Sequence, residues 1–186
     1  MAKVRFGLRN IYIAPITEED NEITYGTPFA LPGAVNLSLS PSGEETVFWA
    51  DDSRYYVVSA NAGYSGTMEI AMLTDKFSID ILGYIKDTNG LIVESKDNKP
   101  KAFAMMYEVQ DDESASRYVF YNVTVGRAET NAQTTSENAE VQTATLNITC
   151  SAAKDTGYVK AYTSEDTPDA TYNAWFTAVP EVSISA

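Results

Sequence analysis

The chain has 186 residues, with 26 acidic against 13 basic side chains, a net charge of −13 and no histidine. This length fits one domain with a sizeable core, and the single cysteine, Cys150, excludes an intrachain disulfide. The acidic balance disfavours binding to DNA by phosphate neutralisation. The absence of histidine excludes Ser-His-Asp and Cys-His catalysis and the usual zinc sites. The sequence has neither a signal-peptide core nor an apolar run long enough to span a membrane.

Alternation of apolar and polar residues predicts a succession of strands. The first covers residues 7–15 and is expected to end at Pro15, before a polar loop over 18–33. The second covers 34–40, with Val35, Leu37 and Leu39 on the buried face. Further strands are predicted at residues 46–50, 54–59, 64–73, 91–94, 99–110, 117–127, 141–150 and 157–163.

The hydrophobic period changes after Leu73, where LTDKFSIDILGYIKD favours a helix over about 74–85. Thr74 or Asp75 can cap its start, and Gly83 can end a first stretch. Its apolar face is expected to carry Phe77, Ile81, Leu82 and Ile85. A second helical turn is predicted after Pro168. Residues 128–140, poor in apolar side chains, are expected to form a mobile loop.

This succession of strands with one short flanking helix indicates a mainly β fold, an antiparallel two-sheet β-sandwich or barrel. Residues 1–186 are expected to form a single domain, from which an arm over about 41–62 projects.

Two patterns could carry chemistry, and neither is specific. Pairs of carboxylates, the groups used in glycoside hydrolysis or calcium binding, fall in predicted turns, where carboxylates are simply solvated. The aromatic residues Trp49, Tyr55, Tyr56, Tyr64 and Trp175 could form a sugar-binding platform, although such residues more often belong to a core or an interface. We therefore predict no catalytic residue, no metal site and no cofactor. The alternatives are a carbohydrate-binding or adhesin β-sandwich module and an acidic glycosidase.

Successive blocks of the chain resemble the major tail protein of long-tailed, non-contractile bacteriophages. The most distinctive lie within residues 25–38 and 61–73, and the match runs in order from residue 6 to residue 180. The blocks are FGLRNIYIAPITEE, YGTPFALPGAVNLSLSPSGE, YYVVSANAGYSGTMEIAML, FSIDILGY, RYVFYNVTVGR and ATYNAWFTAVP.

The resemblance implies a structural virion protein, the subunit of the tail tube. In that family six copies form a ring, and rings stack around the tape measure protein into a channel through which phage DNA passes without specific binding. Tail terminator and distal tail proteins are the implied partners at the tube ends. The implied location is the virion tail, assembled in the host cytoplasm without contact to a membrane. Some relatives carry a C-terminal Ig-like domain, which is not expected here.

In view of this resemblance, residues 41–73 are candidate assembly surfaces. A hairpin over 44–59 is expected to lie on a neighbouring subunit, and the strand over 64–73 to line the tube. Glu69 lies in the middle of that strand and is the candidate lumen-facing carboxylate, because a negative lumen repels phosphate. The candidate residues at subunit interfaces are Trp49, Asp51, Asp52, Tyr55, Tyr56 and Tyr64.

Overall fold

The computed structural model describes residues 4–19, 22–43, 45–111, 115–130, 132, 134 and 142–184. The described chain begins with strands β1 (Arg5–Glu19), β2 (Glu22–Tyr25), β3 (Phe29–Ala30), β4 (Ala34–Pro41), β5 (Glu45–Ala50), β6 (Ser53–Ser59) and β7 (Tyr64–Ile70). It continues through helix α1 (Asp75–Asp80) and strands β8 (Ile85–Lys86), β9 (Ile92–Val93), β10 (Phe103–Asp111), β11 (Ser116–Val125), β12 (Ala144–Ser151) and β13 (Lys160–Tyr162), and it ends with helix α2 (Asp169–Ala174).

Nine of these strands form one antiparallel sheet, in the order β2-β1-β10-β11-β12-β7-β4, with β13 added to β11 and β3 to β1. Among the described strands, β5 and β6 pair only with each other, as do β8 and β9. The large sheet folds over so that β4 returns towards β1, and side chains of both strands line a shallow cavity of about 480 Å³. The predicted mainly β, antiparallel sandwich is confirmed. No ladder joins β4 to β1 among the described strands, so the sheet is not a closed barrel.

One face of the folded sheet encloses the main hydrophobic core. Alternation along each strand sends every second side chain inward, as it does for Met68 and Ile70 of β7. The largest buried members of this core include Ile11, Ile13, Leu31, Phe77, Phe103, Met105, Phe120 and Leu146. Because the strands contribute bulky branched and aromatic residues at these positions, burial of this face stabilises the fold.

Helix α1 packs against this core and is shorter than the sequence predicted. The Thr74 hydroxyl accepts a hydrogen bond from the backbone N–H of Phe77, which confirms the predicted cap. The helix ends at Asp80, and Gly83 follows with φ 76°. The predicted extension to residue 85 is wrong, because Ile85 begins β8 and its side chain is exposed.

Three sequence predictions fail for reasons of pairing. The predicted polar loop over 18–33 instead contains β2 and β3, which both pair with β1. Strand β1 does not end at Pro15, because the Ile16 N–H bonds the Ala102 carbonyl and β2 pairs with residues 16–19. Pro15 is compatible with a continuous strand. Its carbonyl accepts a hydrogen bond from the Gly26 N–H, and the backbone N–H that proline lacks would lie where the pairing of β1 with β2 begins. Val35 is exposed rather than buried, because the register of β4 against β7 shifts beside it.

The second face of the sheet is covered by the C-terminal segment. Trp175 and Phe176, which follow α2, pack with Met106, Val119 and Tyr121 in a smaller cluster. The ring of Phe176 stacks on Tyr12 at 4.8 Å between centroids. Two short helices are therefore present where one and a further turn were predicted.

Some predictions concern residues outside the described ranges. They are most of the proposed mobile loop over 128–140, Asp20 in the predicted polar loop, Glu44 at the start of the predicted hairpin and Val141 at the start of a predicted strand.

Candidate assembly surfaces

The hairpin of β5 and β6, hereafter the arm (residues 45–59), stands apart from the nine-stranded sheet. Its two-residue turn is formed by Asp51 and Asp52, with φ values of 51° and 53°. Positive φ at both central residues defines a type I′ turn, which matches the twist of a tight hairpin. Aspartate tolerates this conformation, so both carboxylates are held at the tip of the arm.

The arm exposes apolar side chains on both faces. Val47 and Trp49 alternate with Phe48, and the register shifts between Phe48 and Trp49 so that Arg54 pairs with Trp49. The side chains of Phe48, Trp49, Tyr55 and Tyr56 are between 61% and 70% exposed. Only the edge-to-face contact of Phe48 with Tyr55, at 6.5 Å, links two of these rings.

Tyr64 lies at the start of β7 and differs from the arm residues. Its ring packs edge-on against Phe120 at 5.5 Å, and Lys160 Nζ lies 4.5 Å from the ring centroid. The side chain is half-buried within its own subunit. The structure thus groups Trp49, Asp51, Asp52, Tyr55 and Tyr56 on one element and places Tyr64 beyond its base.

Glu69 lies on the solvent side of β7, between the inward-facing Met68 and Ile70. The Thr143 hydroxyl donates a hydrogen bond to Glu69 Oε1, which holds the carboxylate against the sheet. The solvent side of β4, β7 and β12, hereafter the polar face, consists of Asn36, Ser38, Ser40, Ser65, Thr67, Glu69, Thr145, Asn147 and Thr149. Glu69 is the one carboxylate among these nine residues, so the face is nearly neutral.

A buried charge cluster surrounds Glu108, and the strand patterns of the sequence did not predict it. Arg9 Nε lies 2.6 Å from Glu108 Oε1, and Arg117 Nε lies 2.8 Å from Oε2. Asn10, a β-bulge residue with φ 54°, donates a further bond to Oε1. Glu108 opposes both arginines across the ladders of β1 and β11. The register of the β10–β11 hairpin could have revealed this pairing, because it sets Glu108 opposite Arg117.

The cluster also fixes the C-terminal segment. The Arg117 guanidinium lies 3.8 Å from the centroid of the Tyr172 ring and donates to the Tyr172 carbonyl. The Tyr172 hydroxyl donates to the Ala115 carbonyl at 2.9 Å. Helix α2 is thereby held over β10 and β11 by an arginine that is already engaged with Glu108.

The described residues contain no group of three or more Asp, Glu or Cys side chains arranged to hold a metal ion. Burial raises the pKa of the Cys150 thiol to about 12, so it stays protonated and unreactive at neutral pH. In the described part of the chain, no helix is both long and apolar enough to cross a membrane.

The comparisons with known proteins agree with a structural role. A family model described as phage tail tube protein matches residues 1–183. No curated protein matches the sequence. The match covers nearly the whole chain and includes the arm, the nine-stranded sheet and both helices. The chain belongs to the phage tail tube protein family, whose members are structural components that assemble into the tube of the virion tail.

Proposed function

We propose that this tail tube protein forms hexameric rings, that the rings stack head to tail, and that the channel through the stack carries phage DNA into the host. The arm is the observation that supports this proposal most strongly. An isolated two-stranded hairpin is marginally stable in water. This hairpin also exposes large apolar side chains on both of its faces. If one face packed against the sheet of the same subunit, the other face would remain exposed.

A neighbouring copy supplies the missing cover. The arm and the surface that receives it are different parts of the chain, so the contact is heterologous and repeats from copy to copy. Such a contact closes into a ring or continues as a filament, depending on its rotation. A stack of rings needs two heterologous contacts, one that closes within each ring and one that continues from ring to ring.

The open edge of the sheet supports lateral contacts within a ring. Strand β4 pairs with β7 on one side and with no other described strand. An unpaired edge is a ready template for a strand of another chain. Pairing this edge with the next subunit would continue the sheet around the ring and remove the exposed edge.

The polar face suits the wall of a DNA channel. It offers hydroxyl and amide groups, one carboxylate and no cation. Without cations the wall forms no ion pairs with phosphate, and Glu69 adds weak repulsion. Six copies per ring would place six such carboxylates around the channel, so DNA would slide rather than bind.

The remaining partners follow from the same role. We assign the tape measure protein to the channel before DNA enters, and the tail terminator and distal tail proteins to the two ends of the tube. Assembly takes place in the host cytoplasm, before the finished tail joins the virion.

Negative-stain electron microscopy of the concentrated protein tests the proposal. We expect rings or tubes with a central hole and six-fold symmetry. A matched control replaces residues 45–59 with Gly-Gly, which is feasible because Ser42, Ala62 and Gly63 already close the base of the arm by backbone hydrogen bonds. The control should stay folded but should form no tubes. Featureless monomers of the wild type at every concentration, especially with saturable glycan binding, would contradict the proposal and favour the carbohydrate-binding alternative.

A further inference from the structure

The arm and the α1 region lie at opposite ends of the same strands. The chain enters and leaves the arm beside Pro41 and Tyr64, which pair with each other at one end of β4 and β7. Ile70 ends β7 at the other end, and α1 follows directly. Two copies stacked along the strands would therefore bring the arm of one copy to the α1 end of the next.

The α1 end carries a cavity of about 320 Å³. Lys96, Asn98 and Arg127 contribute to its wall, beside Glu94. Asn98 Nδ2 is buried and has no hydrogen-bond acceptor among the described residues. A buried amide donor without an acceptor is costly, and Asn98 is one of the residues that line this cavity.

The cavity wall carries two cations and one carboxylate, Glu94, so its net charge is positive and an anionic acceptor fits it best. No described carboxylate lies within ion-pair distance of the exposed Lys96. Arg127 uses its Nε for Glu94 at 2.6 Å, yet its side chain is 80% exposed and its terminal nitrogens remain available at the surface. A carboxylate placed here would accept hydrogen bonds from Lys96 and Arg127.

The surroundings of the cavity also match the arm. Exposed apolar side chains at the α1 end are Met72, Ile85, Leu91 and Val93. The arm likewise combines exposed apolar side chains with carboxylates, those of Asp51 and Asp52 at its tip. Each end therefore combines apolar surface with charge, which is negative at the tip of the arm and positive at the cavity.

We infer that the Lys96–Asn98–Arg127 cavity receives the Asp51–Asp52 tip of the arm from a second copy of this chain. The inference rests on the proposed function and deepens it, since it names the receiving surface of the stacking contact. The tip and the cavity lie at opposite ends of the chain. When two copies bind in this way, one copy keeps a free arm tip and the other keeps a free cavity. Stacking by this contact is open-ended.

Charge exchange tests the pairing. The concentration of protein needed for tube formation should rise about tenfold in Asp52→Lys and in Lys96→Asp, as expected when one partner of an interfacial charge pair is reversed. The double variant should assemble close to the wild type. Asp52→Asn keeps the turn conformation while removing the charge, and Glu181→Lys reverses an exposed charge away from both surfaces. Glu181→Lys should assemble normally, and unchanged thermal unfolding of the monomers would show that each variant folds.

Cysteine cross-linking gives an independent readout. In Asp52→Cys with Lys96→Cys, mild oxidation of tubes should yield a ladder of covalent oligomers, because the buried Cys150 does not compete. Asp52→Cys with the exposed Thr156→Cys should yield none. If the wild type forms tubes but the charge-exchanged double variant does not regain assembly and no ladder of cross-linked oligomers appears, this inference is wrong and the proposed function stands. A wild type that forms no rings or tubes would overturn both.

Discussion

Glu108 and Arg117 face each other across the β10–β11 ladder and form a buried ion pair, with 2.8 Å between Arg117 Nε and Glu108 Oε2. Arg9 reaches the same carboxylate from β1. The Arg117 guanidinium in turn packs over the ring of Tyr172 in α2. One carboxylate therefore connects three neighbouring strands and, through Arg117, the C-terminal segment.

Removing the Glu108 charge should destabilise the monomer strongly. In Glu108→Gln, Arg117 stays largely buried without its counter-charge, so we expect a loss of about 3 kcal/mol in the free energy of unfolding. Urea unfolding followed by circular dichroism measures it. Glu94→Gln is the matched control, because Glu94 also bonds an arginine Nε but in an exposed pair, and it should cost less than about 1 kcal/mol. Equal losses in the two variants would contradict the buried role of Glu108.

The same cluster predicts how stability depends on pH. Burial by itself raises the pKa of Glu108, but the hydrogen bonds and charges of Arg117 and Arg9 outweigh burial and hold its pKa below the ordinary 4.5. Since the folded-state pKa is the lower one, the stabilisation is complete above pH 4.5 and is lost as the pH falls through the folded-state pKa.

The stability difference between the wild type and Glu108→Gln should therefore shrink on acidification. Urea unfolding of both proteins, from neutral pH down to well below pH 4.5, measures this difference. A gap that stays constant over the whole range would show that the pKa of Glu108 is the same in the folded and the unfolded protein.

The arm residues should matter for assembly rather than for folding. Trp49→Ala removes an exposed ring, so we expect less than about 0.5 kcal/mol of change in monomer stability, together with a clear loss of tube formation. Tyr64→Ala is the contrasting variant, because its ring packs on Phe120 inside the subunit, and it should lower the unfolding temperature. Unfolding curves and sedimentation of tubes measure both effects. A Trp49→Ala protein that melts early yet still polymerises would place the arm in the fold itself.

Hydrogen exchange should report the ordering of the arm. We expect amides of residues 45–59 to exchange quickly in the monomer and to gain protection in the tube, because a neighbouring subunit then covers both faces. Mass spectrometry of peptides from the two states measures this, with β10 as an internal reference that is protected in both. The same gain is predicted for residues 129–140. Equal protection of these segments in monomer and tube would contradict ordering on assembly.

The charge of the polar face should control how freely DNA moves through the tube. Glu69→Lys would introduce one cation per subunit, so virions carrying it should release DNA more slowly, most strongly at low salt. Glu69→Gln removes the charge without adding a cation and should behave almost like the wild type. Dye fluorescence after triggered ejection measures the rate. Identical ejection by Glu69→Lys and the wild type at low salt would show that this face does not line the channel.

The sequence by itself determined the features that depend on neighbouring residues. Period-two alternation identifies strands such as β7 and β12, because successive side chains of an extended chain point to opposite sides. The Thr74 cap and the Asp51–Asp52 turn are equally local, since each is decided within four residues. The family resemblance, which follows from the sequence alone, pointed to the tail tube, and the family match over residues 1–183 agrees with it.

The tertiary structure decided everything that depends on which strand lies beside which. Alternation does not reveal that β1 continues past Pro15, because the hydrogen bonds that extend it come from β2 and residue 102. Nor does it reveal that Tyr64 is packed while Tyr55 is exposed, or that Glu108 meets two arginines from different strands. These contacts join residues up to 99 positions apart, and only the folded register brings them together.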